Sequence, residues 1–175
     1  NQDRNLPDAT PGNTSTTTTL TAVNNNLFEL DEAVVIDIAT VTKGTKGPPS
    51  QQTVTIRDDE ATPSVTISAL VFGAEGNAGT TNTSVTLTLS SVSDIDTMVT
   101  LTKGGTAKDG SDYTLATTTV LIPAGSQSVP VTLSVIGDLF NEDNETIVIT
   151  IGAVTNGVIG SPSQATVTID DDDAI

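Results

Sequence analysis

Cysteine and histidine are both missing from this chain, and aromatic side chains nearly so: one Tyr and three Phe in 175 residues. Without Cys there is no disulfide and no thiolate chemistry. Without His, imidazole zinc sites, serine–histidine triads and histidine acid–base catalysis are all excluded. No Ser or Thr stands beside an activating base, so the chain reads as a non-enzyme. Basic residues are scarce, 6 Lys and Arg against 22 Asp and Glu, for a net charge of −16. Such a polyanion is repelled by nucleic acid and by anionic membrane surfaces, so its natural partners are cations or basic surfaces. No apolar run approaches the ~20 residues that span a bilayer, and no signal peptide is visible. The chain begins on Asn1, which reads as a processed chain or an excerpt.

What is present has an all-β texture. Ser84–Ser90 (SVTLTLS), Ser128–Val135 (SVPVTLSV) and Thr146–Ile151 (TIVITI) alternate or enrich β-branched residues, with Gly, Asn, Ser, Pro and Asp between them. Branching at Cβ restricts rotamers and suits Val, Ile and Thr to strands. With few aromatics, Val, Ile, Leu and Thr must do most of the packing. Many short strands at this spacing predict an immunoglobulin-like antiparallel β-sandwich of about seven strands.

The chain also repeats itself. Residues 9–60 and 122–173 align without a gap at an offset of 113 (142 − 29, 145 − 32): Glu29 with Glu142, Glu32 with Glu145, Ile38 with Ile151, Gly47 with Gly160, Ile56 with Ile169, Asp58 and Asp59 with Asp171 and Asp172. A period of this size is a domain, so the chain is read as tandem repeats of globular units and not as a solenoid. Residues 61–175 form a complete unit, and residues 1–60 are the C-terminal half of a preceding one. Thr62–Pro63–Ser64 is the linker, short enough to set neighbouring units almost end to end. A half-sandwich of roughly three strands in residues 9–57 exposes the apolar face its missing partner would cover. Completion by neighbouring repeats or by other copies of the chain is therefore expected.

The acids of the complete unit fall in loops. Glu75 follows the first strand, Asp112 sits in GTAKDGSDY (residues 105–113), and Asp138, Glu142, Asp143 and Glu145 sit in GDLFNEDNET (residues 137–146). The last strand, ATVTI, runs into four aspartates, Asp170 to Asp173. A solvated acidic end and a cation site both account for that run taken alone. Alternate connections of an antiparallel sandwich share one end, so these loops are placed to converge. Seven or more carboxylates gathered there require a counter-ion. Oxygen-only ligands select a hard cation, and loose acidic loops favour Ca²⁺, which accepts 6–8 oxygens in flexible geometry, over Mg²⁺. That many acids suggests more than one ion. The segment is not an EF-hand, because the sixth-position glycine and the flanking helices are missing.

In their order, Glu75, GTAKDGSDY, Asp138-x-x-x-Glu142-x-x-Glu145-Thr146 and ATVTIDDDDA closely resemble the Calx-beta domain family. The resemblance covers residues 61–173, and the first 60 residues look like the C-terminal half of a second copy. It implies a seven-stranded immunoglobulin-like sandwich binding a Ca²⁺ cluster at one end, as in sodium–calcium exchanger regulatory loops, an integrin tail and large bacterial surface proteins. Carried over position by position, it implies Glu75, Asp112, Asp138, Glu142, Glu145, Asp171, Asp172 and Asp173 as ligands, joined by the backbone carbonyl of Phe140. In the partial copy it implies Glu29, Glu32, Asp58 and Asp59, with Asn25 standing where Asp138 does, hence a weaker site or an empty one. Gly137 stands where family members often carry a further acid, a departure that removes or weakens an ion.

The function expected is that of a calcium-binding structural or adhesive module in a repetitive cell-surface or filament protein, extracellular and bacterial in composition, with Ca²⁺ stiffening the junctions. Alternatives are a regulatory calcium sensor in a larger membrane protein and an accessory module of a secreted enzyme. Tyr113 is read as a packing residue. Ala174–Ile175 is read as the start of another linker.

Overall fold

The computed structural model describes residues 15–69 and 72–173. The readings made for residues 9–14 and for Ala174–Ile175 lie outside these. Eleven strands are formed: β1 (Glu32–Asp37), β2 (Gln51–Ile56), β3 (Ser64–Ala69), β4 (Gly79–Leu89), β5 (Thr97–Gly105), β6 (Tyr113–Leu115), β7 (Thr119–Ile122), β8 (Ser128–Gly137), β9 (Glu145–Thr155), β10 (Val158–Ile159) and β11 (Gln164–Ile169). There is no helix among the described residues.

In the complete unit the period-2 alternation decides which side chains go inside. On β4, Val85, Leu87 and Leu89 are buried; on β8, Val131, Leu133 and Val135; on β9, Ile147, Ile149 and Ile151; on β11, Ala165, Val167 and Ile169. Their Thr, Ser and Gln neighbours face outward. Two sheets result, of order β10-β3-β4-β8-β6 and β11-β9-β5-β7, with the apolar faces turned toward each other. Each of these branched side chains contributes about 1.5–3 kcal/mol by leaving water, which is how a core poor in aromatics closes. Tyr113 is buried in that core. The unit has nine strands where about seven were expected, the surplus being the very short β6 and β10. The sandwich is also not wholly antiparallel, since β10 runs parallel to β3.

Register fixes two ends. Gly79 pairs with Gly137 and Ile169 with Glu145 at one end, which we call the apex. Thr88 pairs with Ser128 at the other, the base. The loops after β3, β5, β8 and β11 all open at the apex.

The partial copy repeats the second half of the unit closely. β1 and β2 lie 113 residues before the start of β9 and the whole of β11. They pair in the same register, Glu32 with Ile56 as Glu145 with Ile169. Ile38 N–H donates to Ser50 O, and Ile151 N–H to Ser163 O, both at 2.9 Å. The third strand expected there is not formed: residues 15–24, the counterparts of Ser128–Gly137, carry no strand. In the complete unit β8 is held between β4 and β6, and residues 15–60 contain no equivalent of either. The hairpin consequently leaves its apolar face open. Val54 is 39 % exposed, whereas its counterpart Val167 is fully buried.

This contrast is directly testable. Val167→Asp places a charge in the core and should cost about 4 kcal/mol or more, enough to abolish cooperative urea unfolding of the unit. The equivalent Val54→Asp should change the unfolding free energy of that unit by no more than about 0.5 kcal/mol.

Candidate metal centre

Backbone hydrogen bonds draw the apex together. The segment after β3 runs beside the end of β11: Glu75 N–H donates to Asp170 O (3.1 Å) and Asp170 N–H to Gly73 O (3.2 Å). Gly76 N–H donates to Asp172 Oδ1 at 3.0 Å, and the Asn77 amide donates to Asp173 Oδ1. The loop after β5 folds back on β9, with Thr106 and Ala107 N–H both donating to Thr146 O. Asp112 is held there by its own turn: Lys108 N–H donates to its Oδ2 (2.6 Å), and its carbonyl accepts from Ile136 N–H (2.8 Å). In the loop after β8, Phe140 N–H donates to Asp138 Oδ1 at 2.7 Å, a turn closed by the aspartate side chain.

Two carboxylate triads result. Glu75, Asp138 and Asp173 each present an oxygen within 4.8 Å of the others', and so do Asp112, Glu142 and Glu145. Glu75, Glu142, Asp143, Glu145 and Asp171 line one cleft between them, floored by Ile169. At such a separation each ionised pair repels by about 3 kcal/mol for an effective dielectric of about 20. The protein's own response is visible in Glu75, which is buried at 7 % exposure. Burial first, then the charges of Asp138, Glu142, Asp171 and Asp173, push its carboxyl up to about 7. Glu145 is likewise raised, by burial and then by its hydrogen bond and charge interaction with Asp112.

Two oxygens carry more information than the charge. Asp171 Oδ1 and Asp173 Oδ2 are buried without any hydrogen-bond donor, while the partner oxygen of each accepts from Asn141 and Asn77 respectively. A buried anionic acceptor left unpaired costs more than a neutral one. The donor set consists of carboxylates, which fits a hard divalent cation.

The sequence-derived residues fall into three groups. Glu75, Asp112, Asp138, Glu142, Glu145 and Asp173 lie in the triads, and Asp171 lines the cleft between them. Asp172 is exposed and tied to the Gly76 amide, and Phe140 enters neither triad. In the partial copy, Asn25, Glu29, Glu32, Asp58, Asp59 and Glu60 surround a separate, more open cleft. No three carboxylates close up there among the described residues. The loops bearing Glu75 and Asp112 have no counterpart in residues 15–60.

Asp143, named among the converging loop acids but not among the implied ligands, lines the cleft. Two features escaped the sequence reading. Asn141 and Asn144 brace the acids, Asn141 donating to Asp171 Oδ2 and Asp173 O, and Asn144 donating to Asp170 Oδ1 while accepting from Asp171 N–H. Amides interleaved with carboxylates in Asn141–Glu145 are the signal that marks them. Gly137, taken as the loss of a ligand, has another role: a Cβ there would meet Gly76 O at 1.9 Å. Its bare backbone lets the Glu75 segment settle onto β8.

A β-sandwich with acids gathered at one end defines a class of non-helical, cation-ready modules. The Calx-beta domain model matches residues 10–60 and 61–173, and the chain belongs to the Calx-beta family. Calx-beta domains are calcium-binding modules. Solved structures similar in fold include two of Calx domains. The crystal structure of CBD12 from CALX1.2 is 24 % identical with a TM-score of 0.52, covering 62 % of this chain, which spans 44 % of its length. The apo-form Calx CBD1 domain is 24 % identical with a TM-score of 0.50, covering 62 % of this chain and 98 % of its own. No curated protein matches the chain.

Two outcomes follow from this geometry. A carboxyl raised in the folded state favours folding below its unfolded value near 4.5 and loses that contribution as pH rises through about 7. In chelator the unit should therefore lose up to about 3 kcal/mol between those limits, and Glu75→Gln should flatten the profile in thermal melts across pH. Gly137→Ala should displace the Glu75 segment and abolish any Ca²⁺-dependent gain in melting temperature, with the sandwich still formed by circular dichroism.

Proposed function

We propose that the apex binds Ca²⁺, more than one ion, through Glu75, Asp138 and Asp173 on one side and Asp112, Glu142 and Glu145 on the other. Asp171 lies between them, with Asp172 and the Phe140 carbonyl as outer ligands. The observation that carries this reading is the pair of buried, donor-less oxygens on Asp171 and Asp173. A bound divalent cation would supply positive charge to those oxygens. The chain's own part is to hold the acids in place through the Glu75–Asp170 pairing, the Asp138 turn and the Asn141 and Asn144 amides.

The unit is then a non-catalytic structural module, one of a tandem series, in a repetitive cell-surface or filament protein that is extracellular. Residues 61–175 are one domain and residues 1–60 the second half of another, completed by neighbouring repeats or by another copy. Glu29, Glu32, Asp58 and Asp59 form the corresponding weaker site. Support comes from the shared register of the two hairpins and from the open face of the first. Among the described residues no helix is long and apolar enough to cross a membrane. A sensor role in a larger membrane protein would instead require a second conformation selected by the ion.

Calcium that binds only the folded state stabilises it by about 2.7 kcal/mol at a hundredfold excess over its dissociation constant. For a domain of this size that is on the order of 10 °C in melting temperature. Calorimetry in millimolar Ca²⁺, in Mg²⁺ and in chelator should show this rise for Ca²⁺, and Glu142→Gln should diminish it. Equal melting in Ca²⁺ and chelator would remove the proposal.

A further inference from the structure

The two copies of the apex loop share one turn and differ in what covers them. Asn25 Oδ1 accepts from Leu27 N–H at 2.6 Å, as Asp138 Oδ1 accepts from Phe140 N–H at 2.7 Å. In the first copy the turn is seated. Phe28 O accepts from Asp94 N–H (3.0 Å) and from Ser93 Oγ (3.2 Å) in the base of the complete unit, and Leu27 and Phe28 are half-buried. In the second copy the equivalents of Leu27 and Phe28 are Phe140, 72 % exposed, and Asn141, also exposed, while Leu139, 73 % exposed, stands at the position of Asn26.

The seat is a firm one. Ser93 is buried, its carbonyl accepts from Gly125 N–H (2.8 Å), and Asp96 Oδ1 accepts from Ala124 N–H (2.9 Å). It offers a backbone amide to a carbonyl arriving on a tight turn, together with a hydroxyl shared between that carbonyl and Ile95 O (3.1 Å). The counterpart of the Phe28 carbonyl is that of Asn141, which the shared turn presents in the same way.

We propose that the Leu139–Asn141 turn is a docking surface, and that its occupant is the base of the next Calx-beta unit in the same chain, through a Ser93–Asp94 seat. The seam already present between the two copies is the argument for that occupant. The proposal rests on the reading of the units as a tandem series. Asp94 and Asp96 bring like charge toward an acidic apex, so the hydrogen bonds and the exposed apolar pair must supply the attraction, and cations at the apex lessen the opposition.

The test extends the full chain after Asp173 with a second copy of residues 61–173, retaining the native linker. Hydrogen exchange then compares the Asp94 amide in the two copies. The expected result is protection of the added Asp94 amide comparable to the original, together with a rigid-rod scattering profile. Phe140→Ser should weaken that protection and leave the original Asp94 amide unchanged. Ser93→Ala in the added copy should do the same from the other side. Free exchange of the added amide would overturn the proposal. So would a concentration-dependent dimer of the unextended chain that buries Phe140, since the occupant would then be a second copy in trans. Calcium-dependent melting of the same samples reports separately on the ion site, so failure of docking and failure of the metal reading are distinguishable.

Discussion

Carboxylates that repel one another are held together here by a backbone that cannot let them part. Glu145 sits where it does because Ile169, its cross-strand partner, is buried in the core. A slip of one residue would turn Ile169, Val167 and Ala165 outward. Asp171 and Asp173 lie within four residues of Ile169, and the Gly73–Glu75 segment is pinned to Asp170 by two backbone hydrogen bonds, one from Glu75 N–H and one to Gly73 O. The core therefore sets the register, the register sets the strand ends, and the strand ends set the spacing of the acids. The repulsion is a consequence of packing elsewhere.

That hierarchy explains what was legible in the sequence. Alternation in residues 84–90, 128–135 and 146–151 located β4, β8 and β9, because solvent and core ask for opposite residue types on the two faces. The offset of 113 located the hairpin of the first copy. Six acids chosen for ligands, from Glu75 to Asp173, do meet in the triads. Less visible was whatever depends on a neighbour. Gly137 looked like a missing acid because its close contact, Gly76 O, is 61 residues away in sequence. Asn141 and Asn144 looked like loop residues because their partners lie past the end of β11, distant in sequence. The absent third strand of the partial copy follows from pairing: β8 is a strand by virtue of β4 and β6 as much as by its own sequence.

The hairpins of the two copies can be set side by side. They share register, the start of one strand, the whole extent of the other and the turn at Asn25 or Asp138. Local sequence evidently sets these, since they persist whether or not the opposing sheet is present. Burial does not persist. Val167 is enclosed and Val54 is not, because enclosure requires the strands that residues 15–60 do not contain. An isolated two-stranded hairpin is marginal in water, so the first copy owes its order to what adjoins it, including the Phe28 contact with the base of the next unit.

An ion bound at an apex can fix the direction of the next unit if the apex touches that unit. Screening at physiological ionic strength has a length of about 8 Å, so acids acting through open solvent would transmit little. Phe28 supplies contact across the seam through a carbonyl shared by two donors of the base. Asp58, Asp59 and Glu60 lie in the same connection, between Ile56 at the end of β2 and Ser64 at the start of β3. The Glu60 carboxyl is raised by desolvation and by those two neighbours, so even this exposed joint registers its own charge. A linker that is short, acidic and in contact on its far side is one whose geometry a cation can influence. An acidic tail in free solvent would only be neutralised.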